Sequence, residues 1–295
     1  MATTTTSVAA GSLDKVIADS VIAFNEVNVM YPLISVKQAP MGSITAQWAD
    51  YTKVNSSSVA ETAEGTDHST VQSITSAARS LTVIEHVIRA DLTDLSVMGS
   101  ADDLSGNTGD ILGNAVGAKL DSDGVGLFSG FSQTESTAGT ALSLDHVFGG
   151  MRQLRAAGAP APYNLIMSDQ GIWGAKGLRS LLIQGGNTGS NAVPHSLLGS
   201  EGQAFMSRGF VDTLGSINIY FSNEISDDVA SEGDSASGMF SAGAIGLVVG
   251  PEGLYRVEPE RNASNRLTEY VATGFWKAGE VKDSYGVYIL HDVSA

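Results

Sequence analysis

The stretch of residues 105–131, SGNTGDILGNAVGAKLDSDGVGLFSGF, predicts a long helix that carries glycine along one side. The glycines that share one arc of the helical wheel are Gly106, Gly109, Gly113, Gly117 and Gly124. Apolar side chains that fall on or beside this arc are Leu112, Val116, Leu120 and Leu127. Each glycine inside a helix costs about 1 kcal/mol relative to alanine. We therefore expect this face to pack closely, either against a sheet or against a backbone that crosses it at short range.

Charged residues limit what this helix can be. Asp110, Lys119, Asp121 and Asp123 interrupt the glycine stripe, which argues against a pair of helices that associate inside a membrane. Asp123 also falls near the apolar face of the wheel. The sequence therefore predicts that the regular helix frays close to Asp121.

The composition excludes several classes of function. The chain has 295 residues, no cysteine and a formal net charge of −16, so thiolate metal sites and cysteine nucleophiles are excluded. The sixteen basic residues are scattered singly, which argues against sequence-specific nucleic-acid binding. No segment predicts a secretory signal or a membrane span, so we expect a protein of the cytoplasm. Abundant glycine and sparse charge favour a chain that hides surface against copies of itself.

A long hairpin is predicted ahead of the helix. Ile44, Ala46 and Trp48 face one way along a strand, residues 55–70 form a polar and acidic tip, and alternation returns over residues 71–88. An isolated two-stranded ribbon is marginal in water because it buries little apolar surface. The hairpin must therefore lie on another surface.

Helices and strands alternate through the rest of the chain. A short helix is expected over residues 91–104, and helices over residues 144–157, with Ser143 as the N-cap, 170–182 and 200–209. Strands are expected over residues 163–167, 217–221, 239–249, 254–258, 267–274 and 286–290. The alternating block 142–250 is thus inserted between the glycine-striped helix and a set of C-terminal strands. We expect this helix and these strands to cover one another.

The sequence offers little catalytic chemistry. His68, His86, His146, His195 and His291 are isolated, without metal-ligand spacing. There is no nucleophile elbow and no phosphate-binding loop. Asp145 and His146 could serve a cytoplasmic hydrolase, but neighbouring side chains on a helix point about 100° apart, which makes a poor catalytic pair. We expect no catalytic residue, no cofactor and no metal ion.

Several segments carry a family resemblance when they are taken in order. Residues 109–121 read GDILGNAVGAKLD, residues 126–131 GLFSGF, residues 152–160 RQLRAAGAP and residues 269–276 EYVATGFW. With the N-terminal arm and the long hairpin, this order resembles the major capsid proteins of tailed bacteriophages, whose shell fold is shared with encapsulin-type compartments. The resemblance covers nearly the whole chain in element order, and its motifs are loose.

The resemblance implies an α+β fold with five segments. These are an N-terminal arm (1–40), an extended hairpin loop that lies over a neighbouring subunit (41–89), a peripheral domain with the long spine helix (90–141), an inserted axial α/β domain (142–250) and the C-terminal strands of the peripheral domain (251–295). In such proteins the axial domain gathers around the centre of each pentamer or hexamer.

The same resemblance implies a function and partners. A major capsid protein assembles in the host cytoplasm into the icosahedral shell of the virion, which encloses double-stranded DNA without sequence-specific binding. Because only a short arm precedes the hairpin, a separate scaffolding protein is expected. The resemblance also implies a portal and an optional decoration protein. The alternative from the same fold is an encapsulin-like nanocompartment shell that encloses an enzyme.

Charged residues on the hairpin and the terminal strands are the candidate contacts between subunits. They are Asp50, Lys53, Glu61, Glu64, Arg256, Glu258, Glu260, Arg261 and Arg266. Some relatives join a loop lysine to an asparagine of a neighbour. Lys53 with Asn262 or Asn265 would be the candidates here, but a solvated Lys53 is the favoured interpretation, because amide formation needs a desolvated and positioned group of side chains.

Overall fold

The computed structural model describes residue 20 and residues 28–51, 59–68, 71–100, 104–178, 213–214, 216–229 and 233–294. The strands are β1 Ser35–Gln38, β2 Thr45–Tyr51, β3 Ser76–Thr82, β4 Ile84–Thr93, β5 Thr134–Glu135, β6 Tyr163–Met167, β7 Thr213–Leu214, β8 Ile217–Phe221, β9 Asp234–Ser241, β10 Ile245–Val249, β11 Tyr255–Asn262, β12 Leu267–Glu280 and β13 Gly286–Asp292. The helices are α1 Asp94–Gly99, α2 Leu104–Val125, α3 Leu144–Ala156 and α4 Asp169–Trp173. Short 3-10 turns lie at Tyr31–Leu33, Phe128–Gly130 and Asp283–Tyr285. The predicted α+β class is confirmed.

The spine helix α2 buries the predicted glycine face. The residues of that face that are buried are Thr108, Gly109, Leu112, Gly113, Val116, Gly117, Leu120, Asp121 and Gly124. They recur at spacings of three and four, so they form one stripe along the helix. The first predicted mode of packing is confirmed, because the helix lies on β12 and β4. At Gly124 the close neighbour is a side chain of the arm and not a backbone, since an added Cβ would lie 2.7 Å from the Met30 side chain.

The predicted fraying near Asp121 is wrong. The helix runs on to Val125, and Asp121 is buried within it. Two interactions explain how both acidic residues are tolerated on or near the packed face. The Asp121 carboxylate accepts hydrogen bonds from backbone N–H groups of the N-terminal arm, and Asp123 accepts one from the indole of Trp276 at 3.1 Å.

A five-stranded sheet covers the spine helix, with the long strand β12 at its centre. β4 pairs with β12 from Leu267 opposite Thr93 to Trp276 opposite Ile84. On the opposite edge β12 pairs first with β11 and then with β10, which in turn pairs in parallel with β1. The shared core includes Leu112, Val116 and Leu120 of the helix, and Tyr270, Ala272 and Trp276 of β12. The predicted cover of the helix by C-terminal strands is confirmed for β12, and the second strand that contacts the helix is β4.

A six-stranded sheet, in the order β5-β13-β9-β6-β8-β7, forms the second layer. The predicted strands 163–167 and 217–221 are confirmed as β6 and β8. The predicted helix 144–157 is confirmed as α3, and Ser143 caps it by accepting a hydrogen bond from the backbone of His146. The predicted helix 170–182 is too long, because α4 ends at Trp173, where Gly174 has an extended backbone; the predicted helix 200–209 lies outside the described residues.

Two strand assignments and one helix assignment need correction. The predicted strand 239–249 is two strands, because a turn at residues 242–244 sends β9 to the six-stranded sheet and β10 to the five-stranded one. The predicted terminal strand 286–290 lies in β13, which pairs with β9 in the six-stranded sheet. The predicted helix 91–104 begins later, because β4 continues to Thr93 before α1 starts. Apolar runs predict strands, but they do not state which sheet a strand joins.

A buried histidine of the six-stranded sheet makes the stability of the fold sensitive to pH. His291 is 0% exposed, and burial lowers its pKa despite the nearby carboxylates of Asp227 and Asp234. Because the unfolded chain has the ordinary pKa near 6.5, it binds more protons than the folded chain below that value. We expect the free energy of unfolding to fall from pH 7 to pH 5, by at most about 1.4 kcal/mol per pH unit from this group.

Chemical denaturation of the wild type and of His291→Leu between pH 5 and 8 measures this effect. The variant is expected to show a shallower dependence on pH over the range. His86, whose pKa is also lowered by burial, should supply the remaining slope. Equal slopes for the two proteins would contradict the assignment to His291.

Candidate inter-subunit surface

The hairpin of β2 and β3 projects from the body of the protein. Its strands pair from Thr45 opposite Thr82 to Tyr51 opposite Ser76. Residues 59–68 and 71–80 are exposed throughout. The exposed apolar side chains of the hairpin are Met41, Ile44, Tyr51, Val59, Val71 and Ile74, and Val71 is 89% exposed. The outer hairpin therefore has apolar side chains that no other part of the described chain covers.

The inner end of the hairpin is packed on the body. Trp48 is 6% exposed and its indole donates a hydrogen bond to the Ser35 hydroxyl at 3.1 Å. Gly246 makes room for it, because an added Cβ there would lie 2.9 Å from the Trp48 ring and 2.5 Å from Val281. Ala46 and Trp48, which the alternation placed on one face, lie in the same small core with Val248. The ribbon is thus supported at its inner end alone among the residues that the structure describes.

The predicted hairpin contacts have different surroundings. Asp50 forms an ion pair with Lys282 of its own chain. Lys53 lies outside the described residues. Glu61 and Glu64 are exposed at the tip. Within the described part of the hairpin, the tip carboxylates thus remain available to a second molecule, and Asp50 has a local partner.

The predicted contacts on β11 and the following turn are exposed, but several have partners within the chain. Arg256 lies 3.2 Å from Glu252 and 3.5 Å from Glu258, and its guanidinium covers the Phe275 ring at 5.1 Å. Arg261 makes two hydrogen bonds of 2.6 Å to Asp94, and this pairing lowers the pKa of Asp94.

Glu260 and Arg266 complete the predicted set. Glu260 is exposed on β11, and Arg266 has a backbone φ of +53° in the turn that joins β11 to β12. Glu260, Arg266 and the other predicted residues of β11 lie together at one edge of the sheet. The hairpin tip belongs to a separate segment of the sequence. Their role between subunits stays a prediction.

A cluster at the junction of hairpin and body was missed by sequence analysis. The His86 ring stacks on Trp276, with centroids 4.2 Å apart, and its Nε2 lies 3.7 Å from the Asp123 carboxylate. Lys119 also pairs with Asp123 at 2.6 Å. Because β3 runs through Val83 into β4, this cluster links the return strand of the hairpin to the spine helix. No sequence spacing indicates it, since its members come from three separate elements.

The N-terminal arm is fixed to the same helix by a second feature that the sequence did not indicate. The Asp121 carboxylate accepts hydrogen bonds from the backbone N–H of Val29 at 2.9 Å and of Met30 at 2.9 Å. Burial raises the pKa of Asp121, and these N–H groups oppose the rise. Met30 itself is fully buried against Gly124. The arm is thus held where it crosses the helix.

Asp121→Ala should lower the free energy of unfolding by about 2–3 kcal/mol, because it removes a charged acceptor and leaves two backbone N–H groups unpaired. Limited proteolysis should also cut the chain near residue 28 faster. Asp110→Ala, at an exposed position of the same helix, is the matched control and should change stability by about 0.5 kcal/mol or less. A loss in Asp121→Ala no larger than the control would contradict the role of the carboxylate.

Two alternatives to an inter-subunit surface are a metal site and the hydrolase pair Asp145 and His146. No group of three or more His, Asp or Glu side chains in the described ranges is arranged to hold a metal ion. His146, the candidate base of the hydrolase alternative, accepts a hydrogen bond from the backbone N–H of Ser143 as part of the helix cap. Among the described helices, none has both the length and the apolar character of a membrane span.

The spine helix, the two sheets and the projecting hairpin define the shell fold of tailed-phage major capsid proteins and encapsulins. A chain from the capsid of cyanophage P-SCSP1u is 14% identical, with a TM-score of 0.63, covering 90% of this chain and 89% of that one. A chain of the holo-SrpI encapsulin complex from Synechococcus elongatus PCC 7942 is 11% identical, with a TM-score of 0.62 and coverage of 90% and 88%. A chain from Mycobacterium phage Che8 is 16% identical, with a TM-score of 0.57 and coverage of 84% of both.

Comparison at the level of sequence finds no match. No family model matches the chain, and no curated protein matches it. The likeness to the solved structures confirms the predicted resemblance to the phage capsid fold, at the level of the fold.

Proposed function

We propose that the protein is the major capsid protein of a tailed bacteriophage. It assembles as pentamers and hexamers into an icosahedral shell that encloses double-stranded DNA. The observation that carries the proposal is the hairpin, whose inner end is packed on the body and whose outer part exposes Val59, Val71 and Ile74. A ribbon of this kind gains a stable environment when it lies on a second copy.

The proposed contacts follow from the charges that face outward. The tip carboxylates Glu61 and Glu64 would meet basic groups of a neighbouring subunit, while Arg256, Glu258, Glu260, Arg261 and Arg266 would line contacts at the β11 edge. Heterologous contacts of this kind close into rings when the rotation between neighbours allows it. Lys53 and Asp50 remain in the proposed set, with Asp50 acting through its local ion pair.

The proposed partners follow from the shell role. The chain would associate chiefly with itself in the host cytoplasm, with a separate scaffolding protein during assembly and with a portal, and a decoration protein could bind the outside. Packaged DNA would be held without sequence readout, because the net charge of −16 repels phosphate over about 10 Å at moderate salt. The role is structural and not enzymatic.

An encapsulin-like compartment is the second candidate, because the Synechococcus encapsulin chain matches this fold with a TM-score close to that of the cyanophage chain. The two functions differ in what the shell holds. A phage shell fills with DNA during infection, while a compartment binds a cargo peptide on its inner face.

Electron microscopy of the expressed protein, alone and with candidate scaffolding proteins, tests the proposed function. We expect closed icosahedral particles that are empty of protein cargo. A small monomer under every condition would contradict the shell role. Particles that copurify with one stoichiometric enzyme would favour the compartment instead.

A further inference from the structure

Two successive contacts attach the hairpin to the body of the protein, near the point where the hairpin begins to project from it. Ala46, Trp48 and Asp50 lie on the same face of β2, and that face is turned toward the body. Trp48 is held in the slot beside Gly246, and Asp50, two residues further out, meets Lys282. Two points about 7 Å apart along a strand fix its direction as well as its position.

Lys282 is well placed to hold the outer point. It lies two residues after the end of β12, and its backbone N–H donates to the Ala244 carbonyl at 3.1 Å. The side chain is 19% exposed, and its ammonium lies 4.6 Å from the centre of the Tyr285 ring. The hydrogen bond to Asp50 raises the pKa of Lys282, so the ammonium stays charged at neutral pH.

The space beside this ion pair leaves room for movement. A cleft of about 430 Å³ lies between the hairpin and the turn after β12, lined by Asp50, Ala77, Ala78, Arg79, Val281, Lys282, Asp283 and Ser284. Beyond Asp50 the described hairpin residues are exposed. Side-chain packing therefore fixes the hairpin at Trp48 but does not fill the space at Asp50.

We propose that the Asp50–Lys282 ion pair is a latch that sets the angle at which the hairpin leaves the body, with the Trp48 slot as the pivot. When the latch is broken, the hairpin swings across the cleft, and the displacement grows toward Glu61 and Glu64 at the tip. The consequence for assembly rests on the proposed function. There, a variable hairpin angle produces shells of variable curvature.

The absence of cysteine makes the angle measurable in the isolated subunit. Spin labels on cysteines placed at Glu64, on the tip, and at Ser129, exposed on the body, report the distance between hairpin and body. The variants are Lys282→Met, the exchange Asp50→Lys with Lys282→Asp, and the control Lys277→Met, which removes an exposed lysine of β12.

The width of the distance distribution should at least double in Lys282→Met, return to within about a third of the wild-type width in the exchange, and stay unchanged in Lys277→Met. A Lys282→Met distribution equal to the wild type would overturn the latch, and so would an exchange variant as broad as Lys282→Met. Because the measurement needs no assembly, it separates the latch from the shell function. Where wild-type shells form, Lys282→Met should also widen the spread of particle diameters.

Discussion

Replacing residues 52–75 with an Asn-Gly turn should leave a folded subunit that no longer forms shells. Tyr51 and Ser76 are directly paired, so a two-residue loop can join them with the twist that the strands require. The described residues of the removed segment, 59–68 and 71–75, contribute nothing to the buried cores, and Ala46, Trp48 and Leu81 remain in place. We therefore expect the free energy of unfolding to change by about 1 kcal/mol or less.

Sedimentation velocity and electron microscopy measure the loss of assembly, and thermal unfolding checks the fold. A graded control keeps the length of the hairpin and changes Val59, Val71 and Ile74 to serine. This triple variant should assemble with a raised critical concentration, because it loses apolar contact but keeps the backbone of the ribbon. Shells of normal size and yield from the shortened chain would show that the hairpin tip does not hold neighbours together.

Trp276→Ala should cause the largest loss of stability, about 3–5 kcal/mol. The side chain is 0% exposed, stacks on His86 and donates its indole N–H to Asp123. Its removal leaves a cavity between β12 and the spine helix and leaves the half-buried Asp123 carboxylate without one of its donors. The damage therefore falls where the sheet, the helix and the return strand of the hairpin meet.

Urea denaturation of Trp276→Ala, Trp276→Phe and Phe148→Ala separates these effects. Trp276→Phe keeps most of the volume and the ring stacking but loses the hydrogen bond, so its loss should lie between those of the wild type and the alanine variant. Phe148 is 42% exposed, so its replacement should cost about 1 kcal/mol or less. A Trp276→Ala loss similar to that of Phe148→Ala would contradict a central packing role.

Much of the fold follows from periodic patterns in the sequence. The glycine stripe of α2, the Ser143 cap of α3 and the apolar run of β6 each carry local signals. α3 and β6 lie where their patterns predict, while α2 ends at Val125, before the predicted limit at Phe131. Sheet membership is not local. β9 and β10 form one continuous apolar pattern, yet the turn between them, at Gly243 and its neighbours, directs them to different sheets.

The candidate surface was predictable in outline but not in its partners. Alternation and the polar tip predict a hairpin that cannot fold alone, and its exposed outer part agrees with that expectation. The pairing of Asp50 with Lys282 could not be predicted, because 232 residues separate them. The contact of Asp121 with the N-terminal arm could not be predicted either. A carboxylate that accepts hydrogen bonds from backbone N–H groups needs no particular residue type at the other end.

Cryo-electron microscopy of the assembled wild-type protein is the most direct measurement. The hairpin borne by β2 and β3 should lie on an adjacent subunit, with the side chains of Val59, Val71 and Ile74 covered by that neighbour. Particles in which the tip remains exposed to solvent, or folds back onto its own subunit without touching a second copy, would contradict assembly through the hairpin.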